Sequence, residues 1–210
     1  MSIKYPNGQI YHNNGDKTAS KLQGKTKKRS HANRGMTLEN DLNVTNEQYL
    51  ISGKAVIHKK PIPIQIVNVN YPRRSAAKIT EAYYQKASTT DYNGVYNGYY
   101  LDFEAKETKN KTSFPLKNFH EHQIKHMAAC TKQNGICFII VRFSSLNRVF
   151  VLPFSVLEFW WNQQKEPNGK KSITLSAIIK EGIEVPYGYS PRLPYLTAVD
   201  TLITQTNLKN

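Results

Sequence analysis

The chain has 210 residues and carries 29 lysines and arginines against 15 aspartates and glutamates, a formal net charge of +14. A surplus of that size concerns partners rather than fold, and leaves nucleic acid and anionic membrane surface as the polyanions to weigh. Its longest apolar run, Ile136 to Val141, ends at Arg142, far short of the roughly 20 residues a spanning helix needs. No basic start followed by an apolar run and a small-residue cleavage site marks a secretory leader. Cys130 and Cys137 make no disulfide framework and are read as buried free thiols. One catalytic-sized unit in the cytoplasm, with no membrane partner, is the expectation.

Met1 to Arg34 holds eight basic residues against the single Asp16 and is rich in Asn, Gly, Ser and Gln. That composition buries too little to offset its ordering entropy, so residues 1–34 are expected to be a disordered basic arm, either solubilising or DNA-contacting. Residues 35–210 are read as the folded domain. Leu38, Leu42, Thr45 and Tyr49 follow a 4, 3, 4 spacing behind Thr37, which predicts a capped amphipathic helix ending before Gly53. Ala55 to His58 and Ile64 to Val69 read as strands, with Pro61 and Pro63 interrupting pairing between them. Arg73 to Lys86 fits either a helix or a bent strand. Thr89 to Lys106 reads as two strands joined at Asn97-Gly98, a hairpin turn signal. A helix follows from about Asn118 to Gln133, stopped by Asn134-Gly135. Ile136 to Phe143 and Val149 to Phe154 are strands, and Ser155 is taken to cap the helix holding Phe159, Trp160 and Trp161. A short helix is placed in Gly169 to Pro186 and another over Tyr195 to Thr204.

Alternation along the second hairpin strand puts Leu101, Phe103 and Ala105 on one face and Asp102, Glu104 and Lys106 on the other. Asp91, on the first strand, can bring a second carboxylate to Glu104. Hard carboxylate oxygens suit Mg²⁺, which polarises a phosphodiester and acidifies a bound water. A neighbouring lysine can orient that water and offset the charge that grows in the transition state. The pattern alone also describes a solvated salt-bridge ladder, so the element order matters. Helix, three strands, helix and strand resemble the core of the PD-(D/E)xK nucleases.

Six blocks carry a closer resemblance: NRGMTLENDLN (33–43), IHKKP (57–61), IQIVNVNYPRRSAA (64–77), STTDYNG (88–94), FEAKETKNKTSFPL (103–116) and GYSPR (188–192). Together they are similar to the RecU family of Holliday junction resolvases. The resemblance implies an α/β restriction-endonuclease-like core, a mixed sheet flanked by helices, with a protruding stalk over residues 59–86. It implies a Mg²⁺ site, which Mn²⁺ can also fill, formed by Thr89, Asp91, Glu104 and Gln123, with Lys106 as the lysine that stabilises the transition state. Thr89, two residues before Asp91, projects to the same strand face. Gln123 lies between Phe119 and Met127, four residues away on either side, on an inward helix face.

Glu39 is either a further acid of the site or a surface glutamate near a helix N-terminus. His120, His122 and His126 lack HExxH spacing and a well-spaced third ligand or cysteine, so they are read as solvated or DNA-facing. Lys59, Lys60, Arg73, Arg74, Lys78 and Lys86, interleaved with Tyr71, Tyr83 and Tyr84, offer charge and stacking surface for DNA, or form an ordinary basic loop. The expected function is metal-dependent cleavage of four-way junction DNA by a nucleoid-associated homodimer in recombination and repair. The resemblance adds a strand-exchange recombinase and a branch-migration motor as partners. The rival readings are a duplex repair or restriction-type nuclease and a non-catalytic basic nucleic-acid-binding module.

Overall fold

The computed structural model describes residues 37–73, 76–85 and 88–208; the expected N-terminal arm, Arg74 and Lys86 lie outside them. Thr37 caps the first helix, α1 (Leu38–Ile51), by accepting the Asn40 amide. β1 (Val56–Lys59) follows, then an antiparallel pair, β2 (Ile64–Asn70) and β3 (Lys78–Tyr84). The open choice over Arg73 to Lys86 is therefore settled as strand for Lys78–Tyr84. β4 (Tyr92–Tyr96) and β5 (Tyr99–Thr108) meet at Asn97-Gly98, whose φ values of 49° and 81° give the left-handed pair a two-residue hairpin turn needs.

β6 (Ser113–Pro115) and a 3-10 turn (Leu116–Asn118) precede α2 (Glu121–Lys132). That helix starts three residues later than its periodicity suggests, because His120 is extended and the Gln123 side chain accepts its amide. Asn134, at φ 62°, stops it before β7 (Ile136–Phe143). β8 (Arg148–Pro153) leads directly into α3 (Phe154–Gln163), so Ser155 lies inside the helix and is not its cap. β9 (Ser172–Thr174), α4 (Leu175–Glu181), β10 (Ile183–Glu184) and α5 (Leu196–Asn207) complete the chain.

The central sheet has the order β1-β4-β5-β7-β8-β10 and is antiparallel except for β5 against β7. The position of β7 explains why it is apolar from Ile136 to Val141, since both of its faces are covered there. Phe138 and Ile140 pack with α1 and α5, while Cys137, Ile139 and Val141 pack with α2, α3 and α4. In the first layer Tyr92, Phe103 and Phe138 stack in sequence at centroid distances of 4.9 and 4.7 Å. Truncating such a ring to alanine costs about 3–5 kcal/mol.

Gly94 lets β1 approach β4, because a Cβ there would lie 2.1 Å from the Val56 carbonyl oxygen. The β2–β3 pair forms a separate sheet whose residues are almost all exposed. It fits the expected stalk. Among the described residues no helix is long and apolar enough to cross a membrane.

Candidate active site

β5 divides its side chains as alternation requires. Leu101 and Phe103 enter the first core layer, and Asp102 and Glu104 turn to the other face, both fully buried. The β4–β5 register pairs Tyr92 with Phe103, which brings Asp91, one residue earlier, beside Glu104. The Asp91 amide donates to Glu104 Oε2 at 3.1 Å. Lys106 Nζ lies 2.7 Å from Glu104 Oε1 but out of hydrogen-bond alignment, so that buried oxygen has no hydrogen-bond partner among the described residues. Burial pushes the Glu104 carboxyl up to about 7, the nearby Asp91 adds to the rise, and the Lys106 ammonium opposes it.

Hard oxygens on a buried carboxylate, beside a second carboxylate and an ammonium, make a donor set that fits a divalent cation such as Mg²⁺. Asp91 and Glu104 are the residues that would hold it. Of the expected site residues, the structure brings the ligands Asp91 and Glu104 and the lysine Lys106 together. Thr89 is half-buried two residues from Asp91, and its hydroxyl donates to the Thr90 carbonyl. Gln123 is buried between Phe119 and Met127, as its spacing suggests, but its carbonyl oxygen accepts the His120 amide at 2.9 Å. Glu39 is exposed and ion-paired to Lys59. Together with Asp91 and Glu104 it raises the Tyr92 hydroxyl, although burial is the larger cause.

A second polar cluster went unrecognised in the sequence. Lys60, expected to face DNA, turns inward instead: its ammonium lies 2.8 Å from Asp102 Oδ2 and 3.0 Å from Thr90 Oγ1. Thr90 also donates to Asp102 Oδ1, and the Tyr100 hydroxyl donates to Oδ2 at 2.9 Å. His126, read as solvated or DNA-facing, lies 3.1 Å from Asp102 Oδ2 and 3.6 Å from Cys130 Sγ. Burial alone would raise the Asp102 carboxyl, but Lys60, Thr90 and His126 hold it below its usual range.

Two signals were present in the sequence. Asp102 stands two residues before Glu104 on the same strand face, and Cys130 is one helical turn past His126. Asp102, His126 and Cys130 bring possible ligand atoms within 4.8 Å of one another. Lys60 already occupies that carboxylate, and burial pushes the Cys130 thiol up, away from the thiolate a metal takes.

Fold and site together define an α/β protein of the nuclease kind, with an acidic, lysine-bearing strand at the centre of a mixed sheet. The family model for RecU, recombination protein U, matches residues 33–201, and the chain belongs to that family. Proteins named Holliday junction resolvase RecU are 57% identical over 207 residues in Lactiplantibacillus plantarum, covering 99% of both chains. The Geobacillus kaustophilus relative of that name is 56% identical over 202 residues, covering 96% of this chain and 98% of its own. Among solved structures, Archaeoglobus fulgidus Hjc, a Holliday junction resolvase, covers 70% of this chain and 92% of its own. The TM-score of that match is 0.40 and its sequence identity 12%.

Proposed function

We propose that this chain is a Holliday junction resolvase, an endonuclease that cuts four-way DNA junctions by Mg²⁺-dependent phosphodiester hydrolysis. The observation that carries the reading is the buried Glu104 carboxylate, set between the Asp91 amide and the Lys106 ammonium. A divalent cation held there supplies Lewis acidity and an acidified water. Asp91 and Glu104 orient that cation, with Thr89 and Gln123 as neutral ligands in the reading. Gln123 would then share its carbonyl oxygen, which accepts the His120 amide, with the cation through its second lone pair. Lys106 offsets negative charge on the scissile phosphate as the bond breaks. The overall charge of +14 suits a polyanionic substrate.

As partners we infer a second copy of this chain, since paired nicks on opposed strands need two sites related by a two-fold axis. A strand-exchange recombinase and a branch-migration motor in the nucleoid are proposed on the family resemblance. The deciding experiment incubates the full chain with an end-labelled four-way junction and a linear duplex of the same arms, with Mg²⁺ or with chelator. Symmetric nicks in the junction alone, dependent on metal, are expected. Equal cutting of the linear duplex would favour a general repair nuclease, and binding without cutting would favour a non-catalytic module.

A further inference from the structure

Asp102 stands between two functions that the chain places in different segments. Lys60 immediately follows β1 and leads into the β2–β3 hairpin, while Thr90 follows the hairpin's return. Both side chains close on the Asp102 carboxylate, Lys60 at 2.8 Å on Oδ2 and Thr90 on Oδ1, and they also contact each other at 3.0 Å. The Lys60 amide adds a bond to the Asp91 carbonyl at 2.7 Å.

On the site side the separations are equally short. Asp91 is the residue after Thr90, and Glu104 is two past Asp102 on one strand face. On the hairpin side, only Pro61, Ile62 and Pro63 separate Lys60 from β2. The two prolines hold φ near −65°, so little slack is available, and the Gln85 amide bonds the Pro63 carbonyl across the hairpin base at 2.9 Å.

We propose that Asp102 is a positioning residue that ties Lys60, at the entry to the β2–β3 hairpin, and Thr90, the residue before Asp91, to the catalytic strand, so that hairpin and metal carboxylates move as one unit. The inference rests on the reading of Asp91 and Glu104 as metal ligands. It assigns Lys60 to the coupling rather than to DNA, and it gives the hairpin a route to report junction engagement to the site.

The test measures Mn²⁺ binding to the full chain without DNA, from the electron paramagnetic resonance signal of free Mn²⁺, with thermal unfolding followed alongside. Charge alone and positioning predict different signs. If Lys60 and Asp102 act only through charge, Lys60→Met removes a cation and tightens Mn²⁺ binding, whereas Asp102→Asn weakens it. Positioning predicts that both weaken it by fivefold or more. The double variant Lys60→Met/Asp102→Asn removes both charges together, which preserves charge balance should a single variant melt, and it should bind Mn²⁺ as weakly as either single variant. His126→Gln touches the same carboxylate but no hairpin end, and should change binding by less than twofold.

Parent-like binding by the double variant, or tighter binding by Lys60→Met, would overturn the proposal. An effect of His126→Gln as large as that of Lys60→Met would overturn it too, by making the cluster ordinary core packing. A four-way junction with uncleavable linkages should tighten Mn²⁺ binding at least threefold more than a linear duplex of equal phosphate count. That gap should vanish in the double variant, and its persistence there would also sink the coupling. If the parent binds no Mn²⁺, or if Asp91→Asn binds as the parent does, the metal reading itself fails and takes this inference with it.

Discussion

The polar face of β5 and the β2–β3 hairpin are built on opposite terms. On β5, Asp102 and Glu104 have no exposed surface, and each is held by defined partners. On the hairpin, Ile66 and Val67 are about half exposed and Tyr84 is 82% exposed. Burying carboxylates costs stability, which here is offset by the aromatic stack of Tyr92, Phe103 and Phe138 on the other side of the strand. A two-stranded ribbon has no core of its own and is marginal in water. Its exposed apolar side chains are the mark of a contact surface. In the proposed function, chemistry is thus placed where geometry is enforced from all sides, and recognition where the surface is open.

The sharpest way to break this contrast is at Asp91. Asp91→Asn should lower cleavage on the order of 10³-fold, since several kcal/mol of metal-borne stabilisation disappears. Junction binding should stay within about twofold, because the basic surface is intact. Cleavage gels beside gel-shift titrations in chelator would show it, and parallel loss of binding and activity would remove Asp91 from the metal site. Lys106→Ala should follow at about 10²-fold, the scale of losing one transition-state donor. Rescue of that variant by excess Mg²⁺ would move Lys106 from charge stabilisation to a structural role.

Glu104 sharpens the same side of the comparison through pH. Its carboxyl, raised by burial to about 7 from an ordinary 4.5, is about half protonated in the metal-free fold at neutrality and mostly protonated below it. Protons then compete with metal, so the Mg²⁺ concentration for half-maximal cleavage should rise about tenfold for each pH unit below 7. Because the folded-state value is raised, the stability tied to this group is fully present below about pH 4.5 and is lost as pH rises through about 7. Glu104→Gln should therefore abolish cleavage yet stabilise the metal-free protein at pH 8 by up to about 3 kcal/mol. The gain should be absent at pH 4, and urea melts at the two pH values would check both arms.

How far the sequence could be read differs between the two regions for physical reasons. Strict alternation on β5 and the Asn97-Gly98 turn made the meeting of Asp91, Glu104 and Lys106 legible, since both depend on neighbours within a few residues. The strand Lys78–Tyr84 was ambiguous because it buries neither face, leaving no periodicity to separate strand from helix. The Ser155 cap failed because β8 runs into α3 without a polar capping residue. Lys60 was misplaced because a lysine in a basic, proline-containing stretch looks solvent-facing, and only the tertiary approach of Asp102, 42 residues away, turns it inward.

The smallest expected effect lies on the hairpin. Arg73 and Lys78 are exposed and sit where β2 turns into β3, at the end away from Lys60 and Thr90. If that end meets the open centre of a junction, Arg73→Ala/Lys78→Ala should weaken junction binding while leaving linear duplex binding nearly unchanged. Each phosphate contact contributes about −0.9 to the slope of log affinity against log salt, so two lost contacts should flatten the junction slope by up to roughly 1.8. Cleavage at saturating junction and metal should hardly change, because among the described residues no hydrogen bond or ion pair joins Arg73 or Lys78 to Glu104. Salt series on both substrates would decide it. Equal flattening on junction and duplex would make the hairpin a general basic surface, and junction preference would then have to come from the spacing of two active sites across a dimer axis. That outcome would also leave the Lys60–Asp102 link with a purely local task, holding Asp91 against Glu104 whatever the hairpin touches.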